Sequence, residues 1–403
     1  MNARGWRALL DGADAQAALE VVDEIAGAVS ALMLADDAAG DLAGGSAGAA
    51  ILLGALERAG RSGPKLASSR QLLNHAVHCA RRDRMPAGLW LGRAGVAFAL
   101  HHVAGRPPKP GLARWLCDWV ERGAGGEYDL MSGAVGIGAL ALELGPGAPG
   151  DELLGAVAAH LAQTLEHRDG ALTWASPRPA GPGLGVYNLG VAQGVPGIIG
   201  VLAGALASGR AVHGARGLLE GAARWTLAQR LTDADSCLPY AVGAARDDEP
   251  SRLAWCYGDA GAAVTLLLAA RALADDDIDR AARELAARAA SRRADTAGVN
   301  DTGFCHGSAG LAHLFGRLWQ LTDDDRCAAA GRYWLQRTLD MRRPALPVAG
   351  FPALVHPDGE AGQPEPRPVA GMLTGAAGVA LVLLAACSAK DPSWDRAMLA
   401  SHP

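Results

Sequence analysis

The chain has 403 residues, half of them hydrophobic but only 5% aromatic, so any core must be aliphatic and alanine-rich. Lys and Arg number 37 against 42 Asp and Glu, and the resulting net charge of −5 argues against nucleic acid as a main partner, because phosphate binding needs a basic face. Glycine, at 53 residues, is about twice its ordinary ~7% share while proline is near average at 22, which excludes collagen-like and low-complexity chains and puts the glycines at defined places.

The opening stretch, MNARGWRALLDGADAQAALEVVDE, has no apolar signal core, so a reducing, cytoplasmic setting is expected. Seven cysteines (Cys79, Cys117, Cys237, Cys256, Cys305, Cys327, Cys387) are scattered along the chain. In that setting they read as reduced thiols, some of them metal ligands, rather than disulfides.

One unit then recurs seven times: Gly-x-x-Gly followed by an apolar helical run. It reads GSAGAAILL from Gly45, GRAGVAFAL from Gly92, GAVGIGALAL from Gly133 and GVPGIIGVL from Gly194. It continues as GDAGAAVTLLL from Gly258, GSAGLAHLF from Gly307 and GAAGVALVLL from Gly375. Amphipathic segments lie between. Residues 273–293 put Ile278, Ala282, Leu285 and Ala289 along one side at helical spacing, with charges opposite. Residues 151–167 behave alike, as do 323–343 behind the candidate caps Thr322 and Asp323.

An apolar helix alternating with an amphipathic one implies two concentric layers, with glycines letting backbones approach closely at the start of each inner helix. The expected fold is all-α, an α/α toroid of seven inner and seven outer helices in one domain over 1–403, with an open superhelical solenoid as the alternative. Proline-rich breaks fall at 107–110, 145–150, 176–185 and 343–368. The last is too long for a plain connection and reads equally as a lid or as a surface loop. The uncharged run 369–389 is long enough to span a bilayer, but its glycines and its likeness to the other runs make it a buried helix; no transmembrane span is expected.

If the units align, the residues before each first glycine share one mouth of the fold. Trp255-Cys256-Tyr257-Gly258 and Phe304-Cys305-His306-Gly307 then place two cysteines and a histidine at equivalent points of neighbouring units. A Cys2His set suits zinc, and three protein ligands leave a fourth position for water or substrate. His75, His78 and Cys79 also share a helical face, but they belong to no glycine unit and read as surface or interface residues; His313 reads as a packed core histidine. Cys117, Cys237, Cys327 and Cys387 have no ligand partners nearby and read as structural.

On Cys-His-Gly, Trp-Cys-Tyr-Gly and the seven glycine units, the chain resembles the lanthionine synthetase C-like proteins, the cyclases of lanthipeptide biosynthesis, from about 41 to 386. The resemblance implies a zinc enzyme that adds a cysteine thiol of a dehydrated precursor peptide across a dehydroalanine or dehydrobutyrine double bond, closing a thioether ring. It implies Cys256, Cys305 and His306 as the zinc ligands. It also makes Asp129, in Tyr128-Asp129-Leu130-Met131-Ser132-Gly133, and Arg252 active-site residues; a helix cap is the competing role for Asp129. No dehydratase-like segment is left over, so a separate dehydratase is the expected partner.

One position departs from the family. Where the pattern reads Asn-Leu-Gly-x-Ala-His-Gly, with that histidine the favoured proton donor, this chain has Gln193 before Gly194. An amide can hydrogen-bond but cannot donate a proton as an acid does. Three readings follow: a cyclase in which water or Tyr257 protonates the adduct, a variant thiol-addition enzyme, or a zinc-bearing peptide-binding subunit. Zinc prenyltransferase subunits also activate peptide thiols inside α/α toroids, but the low aromatic content argues against their diphosphate pocket.

Overall fold

A computed structural model describes residues 5–403 apart from 36, 169, 177–184, 233, 244–248, 352, 356–364 and 368. In chain order the helices are α1 (Gly12–Met33), α2 (Ser46–Arg58), α3 (Ser69–Arg82), α4 (Arg93–Ala104), α5 (Pro110–Glu121), α6 (Ala134–Leu144), α7 (Gly150–Thr164) and α8 (Val195–Ala207). They continue as α9 (Ala215–Ala228), α10 (Asp259–Leu273), α11 (Asp276–Ser291), the single turn α12 (Ala294–Ala297), α13 (Ser308–Thr322), α14 (Asp325–Asp340) and α15 (Ala376–Ala386). The strands are short and pair as antiparallel couples: β1 (Glu166–Arg168) with β2 (Ala171–Thr173), β3 (Tyr187–Asn188) with β4 (Ala241–Val242), and β5 (Ala353–Val355) with β6 (Glu365–Arg367).

Each of the seven glycine units opens an apolar helix: α2, α4, α6, α8, α10, α13 and α15. In α8 every residue from Val195 to Ala205 is buried, as in α6 from Ala134 to Glu143. The intervening helices bury one face only. In α11 that face is Ile278, Ala282, Leu285, Ala286 and Ala289, with Asp275 accepting bonds from the Asp277 and Ile278 amides at its start. Two expected boundaries shift. The α14 cap is Asp324, which accepts the Arg326 amide, while Asp323 sits left-handed at φ 60° and ends α13, whose last residue is Thr322. The 151–167 segment is helical from Gly150 only to Thr164, and His167 pairs with Leu172 in a strand.

The apolar helices are not capped by side chains. In five of the seven, the first glycine brings the lead-in loop over the helix N-terminus, where an orphan amide bonds to the carbonyl seven residues earlier: Ser46 to Ala39 at 2.8 Å, Arg93 to Pro86 at 2.9 Å, Ala134 to Glu127 at 3.2 Å, Ser308 to Asp301 at 3.0 Å and Ala376 to Val369 at 3.0 Å. The second glycine is forced by the same fold. A Cβ at Gly48, Gly197, Gly261, Gly310 or Gly378 would overlap the carbonyl of Leu42, Val191, Trp255, Phe304 or Met372, six residues back. The glycines therefore serve each helix's own loop as well as close packing between units.

The helices gather into two compact units. In the one containing residues 106–298, successive lead-in loops are joined edge to edge by backbone bonds: Trp90 N to Met131 O at 3.1 Å, Leu130 N to Ala192 O at 3.1 Å and Ala192 N to Cys256 O at 3.4 Å. Trp90 packs edge-on against Trp255 at 5.9 Å, and the Trp255 indole donates to Met398 O at 2.9 Å. In the unit containing 299–392, Cys305 N bonds to Leu373 O at 2.8 Å and Leu373 N to Ala43 O at 3.0 Å. The latter bond joins the seventh glycine unit to the first, which an open solenoid cannot do. The uncharged 369–389 run holds the short buried helix α15, and no described helix is long and apolar enough to cross a membrane.

Two substitutions separate loop packing from generic helix propensity. Gly310→Ala is expected to lower stability by ~1–3 kcal/mol through overpacking against the Phe304 carbonyl. Gly27→Ala in α1, where a Cβ meets nothing within 4 Å, is expected to raise it by ~0.5–1 kcal/mol. Paired denaturant titrations check both signs.

Candidate functional site

The residue one before each first glycine is exposed or half-buried. Leu91, Ser132 and Gln193 are exposed and Tyr257 is half-buried, while their neighbours Trp90, Ala192 and Cys256 are buried. A hydrogen-bonded chain runs through this row. The Tyr257 hydroxyl donates to Gln193 Oε1 at 2.8 Å and accepts from Asn188 Nδ2 at 2.9 Å, and Asn188 Oδ1 accepts the Gly190 amide at 2.9 Å. Tyr240 stands edge-on to Tyr257 at 5.4 Å, its hydroxyl accepting the Arg252 amide at 3.1 Å.

Glycine is obligatory at two points here. A Cβ at Gly190 would overlap the Cys256 carbonyl, and Gly258 starts α10 at φ 96°, unlike the extended glycines that open α2, α6, α8, α13 and α15. Asp129 is 7% exposed, and its Oδ1 accepts the Ser132 amide at 2.7 Å and the Gly133 amide at 3.2 Å. Those bonds close the lead-in loop ahead of α6 and do not cap the helix, whose N-cap is Gly133, without a side-chain cap; Oδ2 lies 3.5 Å from the Ser132 hydroxyl. Burial pushes the neighbouring Tyr128 phenol far above its ordinary value, so it holds its proton.

Before α13, Asp301 holds the loop and the histidine together. Its Oδ1 accepts the Gly303 amide at 3.1 Å, its backbone carbonyl accepts Ser308 N, and its Oδ2 lies 3.2 Å from His306 Nε2. A buried carboxylate on one ring nitrogen fixes the imidazole and turns the other nitrogen toward a second partner, as behind metal-bound histidines. Among the described residues, one group of side chains could hold a metal ion: the Sγ atoms of Cys256 and Cys305 and a ring nitrogen of His306, all within 4.8 Å of one another.

Asp301 and the Asn188 contact to Tyr257 are absent from the sequence reading. The signal was present, because Glu127, Asn188, Arg252 and Asp301 each stand six residues before a first glycine, where the other units have Ala39, Pro86 and Val369.

The remaining candidates take structural places. His75 Nδ1 lies 2.9 Å from Ser46 Oγ and 3.8 Å from Cys79 Sγ, which is buried and also directed at Ala38 O, while His78 is exposed and is not part of that contact. His313 is 2% exposed and stacks on Trp6 at 5.7 Å. Burial pushes the thiols of Cys237, Cys327 and Cys387 up to about 11, which keeps them protonated and unreactive at neutral pH. Cys117 is raised by burial as well. None of the seven cysteines is in a disulfide. Of the 343–368 stretch, read equally as a lid or as a surface loop, the described part includes the β5–β6 pair, and 352, 356–364 and 368 lie outside the described residues. In the 176–185 break, 177–184 likewise lie outside.

The sequence profile of the lanthionine synthetase C-like proteins matches residues 36–399. Among solved structures the chain is similar to a nisin cyclase, with a TM-score of 0.74 at 19% identity, covering 96% of this chain and 98% of that one. It is also similar to a cellobiose 2-epimerase from Bacillus thermoamylovorans B4167, with a TM-score of 0.50 at 12% identity over 92% and 98%. None of the curated protein sequences matches. The fold is all-α, an α/α toroid, with seven apolar and seven amphipathic helices among the described residues.

Removing the carboxylate behind the histidine tests the metal-ligating group. Asp301→Asn is expected to weaken metal retention roughly 10–100-fold in a chelator competition, whereas His78→Ala leaves it unchanged.

Proposed function

The chain belongs to the lanthionine synthetase C-like family, and from that membership we propose that it is a zinc-dependent lanthipeptide cyclase. The observation that carries this reading is the Cys256, Cys305 and His306 group at the family's ligand positions, with Asp301 behind the histidine. Two sulfurs and one imidazole are a soft donor set that fits zinc and leaves a position open. Zinc bound there would supply a peptide cysteine in its thiolate form at neutral pH, where a free thiol of pKa ~8.5 is mostly protonated.

The substrate is a precursor peptide whose Ser and Thr have been dehydrated by a separate dehydratase. The peptide sulfur bonds to the β-carbon of the dehydroamino acid, the π pair moves onto the neighbouring carbonyl, and a proton then adds to the α-carbon; nothing leaves. Arg252 stabilises the charge that develops on the carbonyl oxygen. Oδ2 of Asp129 takes up the thiol proton while Oδ1 stays on the loop amides. Tyr257 delivers the final proton. Its hydroxyl is held by Asn188 on one side and Gln193 on the other, so the amide at 193 orients the donor that an imidazole would otherwise be. Ligand cysteines outside any disulfide and a thiol substrate fit the reducing cytoplasm.

Gln193 also favours a second reading, a zinc-bearing subunit that binds the peptide without closing its rings. One assay separates the two: counting free thiols on a dehydrated precursor peptide with and without zinc-loaded protein. Thiol loss above the uncatalysed rate is expected, and its absence leaves the binding subunit. With cyclisation measurable, Tyr257→Phe should lower kcat by roughly 10²–10⁴-fold with zinc content intact. Gln193→His should stay within a few-fold of the parent; a gain of about a hundredfold would move the acid to position 193.

A further inference from the structure

Tyr240 lies on the connection between α9 and α10, outside every lead-in loop, yet it touches two of the groups given a part in the reaction. Its hydroxyl accepts the Arg252 amide at 3.1 Å, and its ring stands edge-on to that of Tyr257, with 5.4 Å between centroids and 63° between planes. The two contacts use different parts of one side chain: a phenylalanine would supply the edge and leave the amide unmet.

The backbone around Tyr240 is fastened on both sides. Leu189 N donates to Tyr240 O at 3.0 Å, and Ala241 pairs with Asn188 across the β3–β4 couple, so one side is tied to the strand that carries Asn188. On the other side Pro239 bridges to Pro250, two residues before Arg252. All of these residues belong to the same compact unit. Tyr257, by contrast, is half-buried and is held at its tip by Asn188 and by the exposed Gln193. A change of χ1 rotamer would carry its hydroxyl away from both, and a ring fixed against its own opposes that change.

We propose that Tyr240 is a positioning residue for the cyclisation: its ring keeps Tyr257 on Asn188 and Gln193, and its hydroxyl keeps the backbone of Arg252 in place. The inference rests on the roles given above to Tyr257 and Arg252. Two substitutions divide the contacts, since Tyr240→Phe removes the bond to Arg252 and keeps the ring, whereas Tyr240→Leu removes both. On a dehydrated precursor peptide with zinc-loaded protein, Tyr240→Phe should lower kcat about three- to tenfold and Tyr240→Leu about ten- to a hundredfold, with KM and zinc content unchanged. In a Tyr257→Phe background the gap between Leu and Phe at 240 should shrink to about twofold or less, because the ring then has no proton donor to hold.

A gap as wide without the Tyr257 hydroxyl as with it marks plain packing and overturns the proposal, as do losses that fall on KM or zinc content and spare kcat. A crystal structure of Tyr240→Leu reads the positioning without turnover. The Tyr257 hydroxyl is expected to leave Asn188 or Gln193, and both bonds kept within about 3.2 Å overturn the proposal. Should Tyr240→Leu fail to fold, Tyr240→Phe decides: the Arg252 amide should exchange its hydrogen about tenfold faster in deuterated solvent, and unchanged exchange overturns the proposal. No thiol loss with the parent protein sinks the cyclase reading, and the crystal structure then still shows whether Tyr240 holds Tyr257.

Discussion

The structure turns on how its apolar helices begin. An α-helix leaves its first amides without partners, and a helix buried on nearly all sides cannot give them to water. Here they are met by backbone carbonyls of the loop that leads in, such as Glu127 for Ala134 and Asp301 for Ser308. That path requires the loop to lie directly on the first turn, where no Cβ fits at Gly197 or Gly310. Three of the amphipathic helices, open to water, use ordinary side-chain caps instead: Ser68 on α3, Asp275 on α11 and Asp324 on α14.

The functional residues follow from that arrangement. With capping given over to the backbone, side chains around the first glycine are released for other work. The position before it faces outward in Gln193 and Tyr257, and the position six before it reaches back as Asn188 or Asp301. The positive end of each helix dipole lies at these loops, which favours negative charge beside them. Loops joined edge to edge by bonds such as Ala192 N to Cys256 O hold these side chains, with Tyr240 from the connection before α10 packed against Tyr257.

The repeat was legible because its cause is local. Each Gly-x-x-Gly is enforced by a loop and helix adjacent in sequence, so seven helix starts could be read from glycines alone, and Ile278, Ala282, Leu285 and Ala289 fell on one buried face as their spacing required. Helix ends were less legible. Asp323 looked like a cap and is instead the left-handed residue that ends α13, because a one-residue difference in a tight turn leaves no mark in the hydrophobic pattern. Asp129 could be read two ways, and its observed bonds are those that organise the loop.

By itself the sequence determined the helix class, the alternation of buried and half-buried helices, and the kinship of Cys256, Cys305 and His306, since all three depend on spacing along the chain. Tertiary structure alone decided that Asp301 stands behind His306, that Tyr257 is shared between Asn188 and Gln193, and that the seventh loop bonds to the first. Those contacts join residues far apart or on opposite sides of a turn. Composition and periodicity carry no information about which way such side chains point until the loops have packed.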